Sequence, residues 1–272
     1  MRQKIRVLYV SPEVSPFAKS GELADVASAL PEYLSSLGIE ISLIIPKYRT
    51  PEIESLATEL VFPELLVPLG GQKVKASIYK TESEKYPLYF VDNPKYFWRE
   101  KIYGPSTGDY LDNDERFIFF NRAVLEFLLR ARISVDVIHS NSWPAALVPV
   151  FLRTHFSKES LFKGVSTVLT VHNAAYQGEF PLESLALTEL DWNSFNSRQL
   201  SYSKRFNFLK AGIVFSDVIN TVSSAYKKEV QTKKHGFGLD KILNSRRDYF
   251  FSILNGVDYE AVSYTHLRAH ET

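Results

Sequence analysis

Two stretches of this sequence hold residue types that polar-ligand chemistry needs. The first is Lys19-Ser20-Gly21-Glu22-Leu23-Ala24-Asp25-Val26, which follows a short β-branched run and opens a helical pattern. A glycine at a helix start lets a ligand approach backbone N–H groups, where the helix dipole favours anions. Lys19 adds a point charge suited to phosphate. Asp25, about one turn in, can accept hydrogen bonds from sugar hydroxyls. The same residues also read as a solvated lysine and an ordinary first-turn acid. No G-x-G-x-x-G follows the strand, so a dinucleotide fingerprint is not supported. The second stretch, Thr170-Val171-His172-Asn173, places a histidine just after a buried strand. Taken alone, such a histidine is more often a satisfied polar residue than a catalyst.

The elements that must position these residues follow from hydrophobic pattern. Residues 5–10 form a β-branched run and predict a buried parallel strand. Two prolines keep the loop after it out of helix. Leu23, Val26, Ala27, Leu30, Leu34 and Leu37 then recur at spacings of three and four, and Gly38 closes that helix. Residues 39–45 give a second strand. Residues 65–69, 74–79 and 88–91 read as strands joined by turns, with Gly70-Gly71 between the first two, in a hairpin that returns to the main sheet. A long loop follows over 92–112, then a helix over 113–132, a short strand ending at 139, a helical stretch over 143–156, a strand over 167–171 and a mixed, helical region over 182–209. Strands over 218–222 and 251–254 close the pattern. Strands alternating with helices predict an α/β fold: a Rossmann-like open, mainly parallel sheet with helices on both faces. In that class, ligands sit at the carboxyl ends of the strands. This selects the loops after Val10, Val91, Ile138, Val171 and Leu254.

Composition bounds the partners. The chain has 272 residues, with 45% hydrophobic and 23% charged, and 32 basic against 31 acidic residues give a formal charge of +1. Such balance removes the simplest argument for nucleic acid or an anionic membrane. Cysteine is absent, which excludes disulfides, thiolate metal sites and cysteine nucleophiles. No apolar run approaches the roughly 18 residues of a membrane helix, and the N-terminus lacks a signal-peptide pattern. The expected compartment is the cytoplasm. No metal cluster is visible, and no cofactor is expected.

The remaining candidates each carry two readings. Tyr96, Phe97, Trp98 and Tyr103 in the long loop could stack on sugar rings or pin that loop to the core. Trp143 reads as packing against the sheet. Glu13 reads as a surface charge. Lys227, Lys228, Lys233 and Lys234 read as a solvated helix face.

Val10-Ser11-Pro12-Glu13, with Pro16 through Val26 and Ala29-Leu30-Pro31, closely resembles the opening of bacterial glycogen synthases and plant starch synthases. That opening runs lysine, any residue, glycine, glycine, leucine, alanine, aspartate, valine. Phe90-Val91-Asp92-Asn93-Pro94, Asp112-Asn113 with Arg116-Phe117, Thr170-Val171-His172-Asn173 with Tyr176-Gln177-Gly178, and Leu254-Asn255-Gly256-Val257-Asp258 resemble further motifs in the same order. The resemblance covers residues 4–260. It implies a retaining glucosyltransferase of the two-Rossmann-domain (GT-B type) kind, which moves glucose from ADP-glucose or UDP-glucose to the non-reducing end of an α-1,4-glucan. Residues 1–260 would be its N-terminal, acceptor-side domain, and a C-terminal nucleotide-binding domain is absent. By the same resemblance, Lys19 and the backbone at Gly21 approach the donor phosphates. Asp25 and His172 lie beside the reacting glucose, Asn255 nears the donor across the cleft, and Trp143 and Tyr96 belong to the sugar pocket. Neither metal nor cofactor is implied.

Three departures stand out. Glu22 replaces the second glycine of the opening, and Ser142 replaces an aspartate in the family's histidine, any residue, histidine or asparagine, aspartate, tryptophan pattern. Residues 261–272 match nothing in the family and read as an unrelated junction. The alternatives are a sucrose- or trehalose-type synthase of the same architecture, and a non-catalytic glucan-binding module, since fold alone does not fix function.

Overall fold

The computed structural model describes residues 4–82, 86–190, 201–202 and 205–256. Its centre is strand β1 (Arg6–Val10), followed by helix α1 (Glu22–Ser36) and strand β2 (Glu40–Pro46). Val7, Leu8, Tyr9 and Val10 are all buried, as a strand covered on both faces requires. Gly38, at φ +83, ends α1 by donating its N–H to the Ser35 carbonyl. The helix buries Leu23, Ala24, Ala27 and Pro31. Leu30 and Leu34 pack on the core from its edge, but Leu37, counted in the apolar stripe, is 77% exposed.

After a short helix α2 (Pro51–Glu54), strands β3 (Glu59–Leu69), β4 (Gln72–Glu82) and β5 (Pro87–Asp92) form the expected return to the sheet, with longer strands than the turn signals suggested. Leu69 faces Gln72 across Gly70 and Gly71, both at positive φ, which is the two-residue hairpin turn that glycine permits. The long loop holds one further turn of helix, α3 (Pro94–Phe97), capped by the Asn93 side chain. Helix α4 (Asn113–Arg130) follows, with every residue from Arg116 to Leu128 buried.

Strand β6 (Val137–Asn141) then enters on the far side of β1. The helical stretch predicted over 143–156 divides into a 3-10 turn (Trp143–Ala145) and helix α5 (Leu147–Arg153). Pro144 and Pro149 fall in the first turns of these two segments, where a missing backbone N–H costs no intrahelical bond. Strand β7 (Ser166–Val171) follows.

The region read as mixed and helical is a 3-10 segment (Leu182–Thr188) and a small antiparallel sheet of β8 (Glu179–Phe180), β9 (Ser201–Tyr202) and β10 (Arg205–Asn207). Part of that prediction, residues 191–200, lies outside the described residues. The next helix starts only at Phe208, where the Asn207 side chain accepts from the Lys210 N–H. Strands β11 (Val218–Thr221) and β12 (Phe250–Ser252) complete the sheet.

Nine strands stand in the order β12-β11-β7-β6-β1-β2-β5-β4-β3. The first seven run parallel, β4 runs antiparallel to β5, and β3 runs antiparallel to β4. This is the Rossmann-like α/β sheet that the alternating pattern predicts. The chain leaves β1 toward β2 on one side and returns as β6 on the other, so the loops after β1 and β6 part at a topological switch point. Among the described residues, no helix is long and apolar enough to cross a membrane.

Candidate functional site

A cleft of about 630 Å³ opens at that switch point. Its walls come from the loop after β1 (Glu13, Ser20, Gly21), the start of α1 (Glu22, Leu23), the long loop (Tyr103, Asp109), the turn after β6 (Ser142, Trp143, Pro144), the loop after β7 (His172, Asn173, Tyr176) and the ends of β11 and β12 (Val222, Asn255).

Glu13 organises the first wall. It is 3% exposed, not the surface charge its position suggested. Its carboxylate accepts from the Ser20 N–H at 2.6 Å, the Ser20 hydroxyl at 2.8 Å and the Gly21 N–H at 3.3 Å. Tyr103 donates to it from the long loop at 2.7 Å. Burial first, then the Glu13 charge, holds the Tyr103 phenol protonated well above its ordinary range. The loop is thereby drawn into a fixed ring that delivers Gly21 to the mouth of the cleft. Space beside Gly21 is open, and α1 carries no side-chain cap at its N-terminus. Ala24 turns its N–H to the Gly21 carbonyl at 3.3 Å, and the amides of Glu22 and Leu23 have no side-chain cap.

Trp143 is held by rings on several sides: Phe117 at 4.9 Å, Phe180 at 5.7 Å, Tyr103 at 5.9 Å and Phe208 at 6.2 Å between centroids. Gly178, at φ +63, passes so close that a Cβ there would sit 2.4 Å from the indole. Beside it, Ser142 holds φ +56 and ψ −178, a conformation that glycine alone adopts freely. Its N–H donates to the Thr170 carbonyl at 2.9 Å.

His172 reaches the cleft from the end of β7. Burial lowers its pKa to about 4, so the ring is neutral at pH 7. Its Nε2 lies 3.1 Å from Asn141 Oδ1. His139 lies behind it, pushed down to about 3 by burial and then by His172. The His139 Nε2 meets the Thr170 hydroxyl at 2.6 Å, and its ring stands edge-on to Tyr9 at 4.8 Å. Asn255 is brought to the rim by its backbone, whose N–H donates to the Val222 carbonyl at 3.2 Å.

The structure thus gathers Gly21, Trp143, His172 and Asn255 on one cleft. Lys19 and Asp25 do not line it. They hold each other, with Nζ 2.6 and 2.8 Å from the two carboxylate oxygens, and both are about half exposed. Tyr96 is placed elsewhere, and its reading as a pocket residue is corrected. It is 0% exposed, its ring tilted against Phe119 at 4.9 Å between centroids and hydrogen-bonded to Glu115. Phe97 is equally buried, while Trp98 is half exposed and donates to Asp92. Of the four loop aromatics, only Tyr103 reaches the cleft.

Residue types alone did not single out Asn141, Asp109 or Tyr176. Asn141 shares a strand face with His139, two residues before it, and that alternation was the available signal. Asp109 carried none, and the 68% exposed Tyr176 stood out only through the Tyr176-Gln177-Gly178 resemblance. Among the described residues, the cleft is lined by three carboxylates, Glu13, Glu22 and Asp109, and by no lysine or arginine. Nor does any group of three or more His, Cys, Asp or Glu among them form a metal cluster.

Residues 6–245 match the family model described as starch synthase catalytic domain. A glycogen synthase of Syntrophotalea carbinolica is 38% identical over 254 residues, 93% of this chain and 52% of the relative. Glycogen synthase 2 of Geobacter sulfurreducens is 39% identical over 254 residues, with the same shares covered. The catalytic domain of starch synthase IV from Arabidopsis thaliana, solved bound to ADP and acarbose, superposes with a TM-score of 0.86 at 30% identity, over 95% of this chain and 53% of that one. The chain spans about half the length of the curated relatives it matches. A sequence match across most of the chain, on a sheet of the same topology class with its cleft at the switch point, makes this chain a member of the glycogen and starch synthase family of glycosyltransferases.

Proposed function

We propose that this chain forms one wall of a retaining glucosyltransferase site, in which glucose passes from ADP-glucose, or UDP-glucose, to the non-reducing end of an α-1,4-glucan. One observation carries the reading: the uncapped N-terminus of α1, the neutral His172 and the caged Trp143 share a single cleft. The α1 amides suit a phosphate. The indole face suits a sugar ring. Neutral His172 suits a sugar hydroxyl, and fixed dipoles around it suit the oxocarbenium-like charge of glycosyl transfer.

Lys19 joins the donor phosphates by leaving Asp25, which frees that carboxylate for a hydroxyl. Asn255 meets the donor from the opposite rim. A cleft whose described lining holds three carboxylates and no cation does not neutralise a diphosphate by itself. In this reading, residues 1–260 act as the acceptor-side domain, and a second lobe brings the cationic groups and closes over the sugar. Residues 261–272 take no part.

Incorporation of labelled glucose from ADP-glucose into a glycogen primer tests this. The 272-residue chain alone should incorporate nothing above background. Fused to the second half of a relative such as the Geobacter sulfurreducens enzyme, it should incorporate label. Turnover by the chain alone overturns the half-site reading. A folded fusion that binds maltooligosaccharides, never turns over and keeps that binding in Asp25→Ala and His172→Ala favours the glucan-binding module, for which the acidic lining speaks.

A further inference from the structure

Asn141 is fully buried at the end of β6, and its four hydrogen bonds leave its amide one orientation. Its Nδ2 donates to the Val10 carbonyl at 3.1 Å and to the His139 carbonyl at 3.4 Å. Both partners are pure acceptors, so the oxygen must be the atom that faces the other way. There, Oδ1 accepts from the Tyr9 hydroxyl at 2.9 Å and meets His172 Nε2 at 3.1 Å. An amide oxygen cannot donate. A neutral ring facing it must therefore carry its proton on Nε2, which leaves the Nδ1 lone pair as the ring's hydrogen-bond acceptor.

We propose that Asn141 is a positioning residue: it fixes His172 as the Nε2–H tautomer, so that the ring offers the cleft an acceptor at Nδ1 and takes a hydrogen bond from a ligand hydroxyl. Tyr9, donating from β1, keeps the oxygen of Asn141 turned toward β7. The titratable neighbours on these strands do not compete for this state. Tyr9 is buried with its phenol pushed upward, and His139 is buried and neutral. That the hydroxyl belongs to a sugar rests on the function proposed above, but the state of the ring does not.

Nitrogen NMR of the 15N-histidine-labelled 272-residue chain reads the tautomer directly. The His172 signals are identified by their loss in His172→Gln. At pH 7, Nε2 should show the shift of a protonated ring nitrogen and Nδ1 that of an unprotonated one. The reverse pattern in the wild-type chain overturns the proposal, whatever the variants do. Asn141→Leu should release the ring to a mixture of tautomers, and an unchanged spectrum in the folded variant overturns the role of Asn141. Asn141→Asp keeps an acceptor in place but gives it charge. It should raise the His172 titration midpoint by a pH unit or more, about tenfold in proton affinity. An unmoved midpoint likewise overturns the proposal. If Asn141→Leu does not fold, the wild-type pattern and the Asn141→Asp titration still decide. A failed incorporation assay with the expected tautomer would sink the glucosyltransferase reading and leave this inference intact.

Discussion

The Tyr103 hydroxyl donates a 2.7 Å hydrogen bond to the Glu13 carboxylate, joining the long loop to the loop after β1 across 90 residues of sequence. Glu13 spends the same carboxylate on the N–H groups of Ser20 and Gly21. The shape of this wall of the cleft is thus set by a buried acid, Glu13. Tyr103→Phe should cost about 1.5–3 kcal/mol of unfolding free energy, the usual range for a hydrogen bond to a charged group. Glu13→Ala should cost more, because it leaves several donors without an acceptor. Urea melts of the two single variants and the double variant check this. The double variant should fall short of the sum, since both remove one shared bond.

Gly178→Ala should destabilise the chain by about 2 kcal/mol or more. The added methyl would sit 2.4 Å from the Trp143 indole, on backbone held at φ +63. The indole must leave its ring cage for the variant to fold. Fluorescence of a variant keeping Trp143 as its one tryptophan should shift to the red when Gly178→Ala is added, alongside a lower Tm.

Lys19 and Asp25 should separate stability from function. Each is about half exposed and paired with the other, and exposed ion pairs contribute roughly 0–1 kcal/mol. Lys19→Ala and Asp25→Ala should leave the Tm within a few degrees of wild type. In a fusion carrying the second half, each should cut glucose incorporation at least tenfold. Activity close to wild type in either variant would remove that residue from the proposed chemistry.

The chain should lose stability as pH falls from about 6.5 toward 4. His172 and His139 have folded pKa values lowered to about 4 and about 3, below the 6.5 of a free histidine. Between those values the unfolded chain binds protons that the folded chain refuses, so acid favours unfolding. The contribution is fully present above pH 6.5 and is lost as pH drops toward the folded values, by on the order of 3 kcal/mol per histidine. Urea melts at pH 7 and pH 5 should show a smaller pH difference in His139→Gln and His172→Gln than in wild type. An equal difference would mean that neither ring is buried neutral.

Strand periodicity made the sheet legible, because β1, β2, β7 and β11 are short apolar runs with few alternative readings. The hairpin turn was legible because Gly70-Gly71 can do little else. Asn207 is different. It falls in the region read as mixed and helical over 182–209 but caps a helix that starts one residue later, since a small sheet claims residues 205–207. In the site, Gly21 and His172 were legible because strand ends and helix starts are local features. Glu13 was not: its partners Ser20, Gly21 and Tyr103 meet only in the folded chain, Tyr103 from 90 residues away. Tyr96 failed for the opposite reason. It lies on α3, where its ring meets Phe119 of α4 and its carbonyl accepts from Arg116 Nε at 2.7 Å.

The placement of β1 between β2 and β6 also governs how the molecule assembles. The Arg6 guanidinium and N–H clasp the Asp136 carboxylate at 2.8–3.1 Å, 130 residues along the chain. Strands β1 and β2 on one side of the cleft are neighbours in sequence, but β6 on the other side waits for that closure. Such distant closures are slow steps in folding. A ligand that touches both walls therefore recognises only molecules that have finished folding. Ligand added during refolding should leave the early, partly closed species unaffected and draw the population toward the completed sheet.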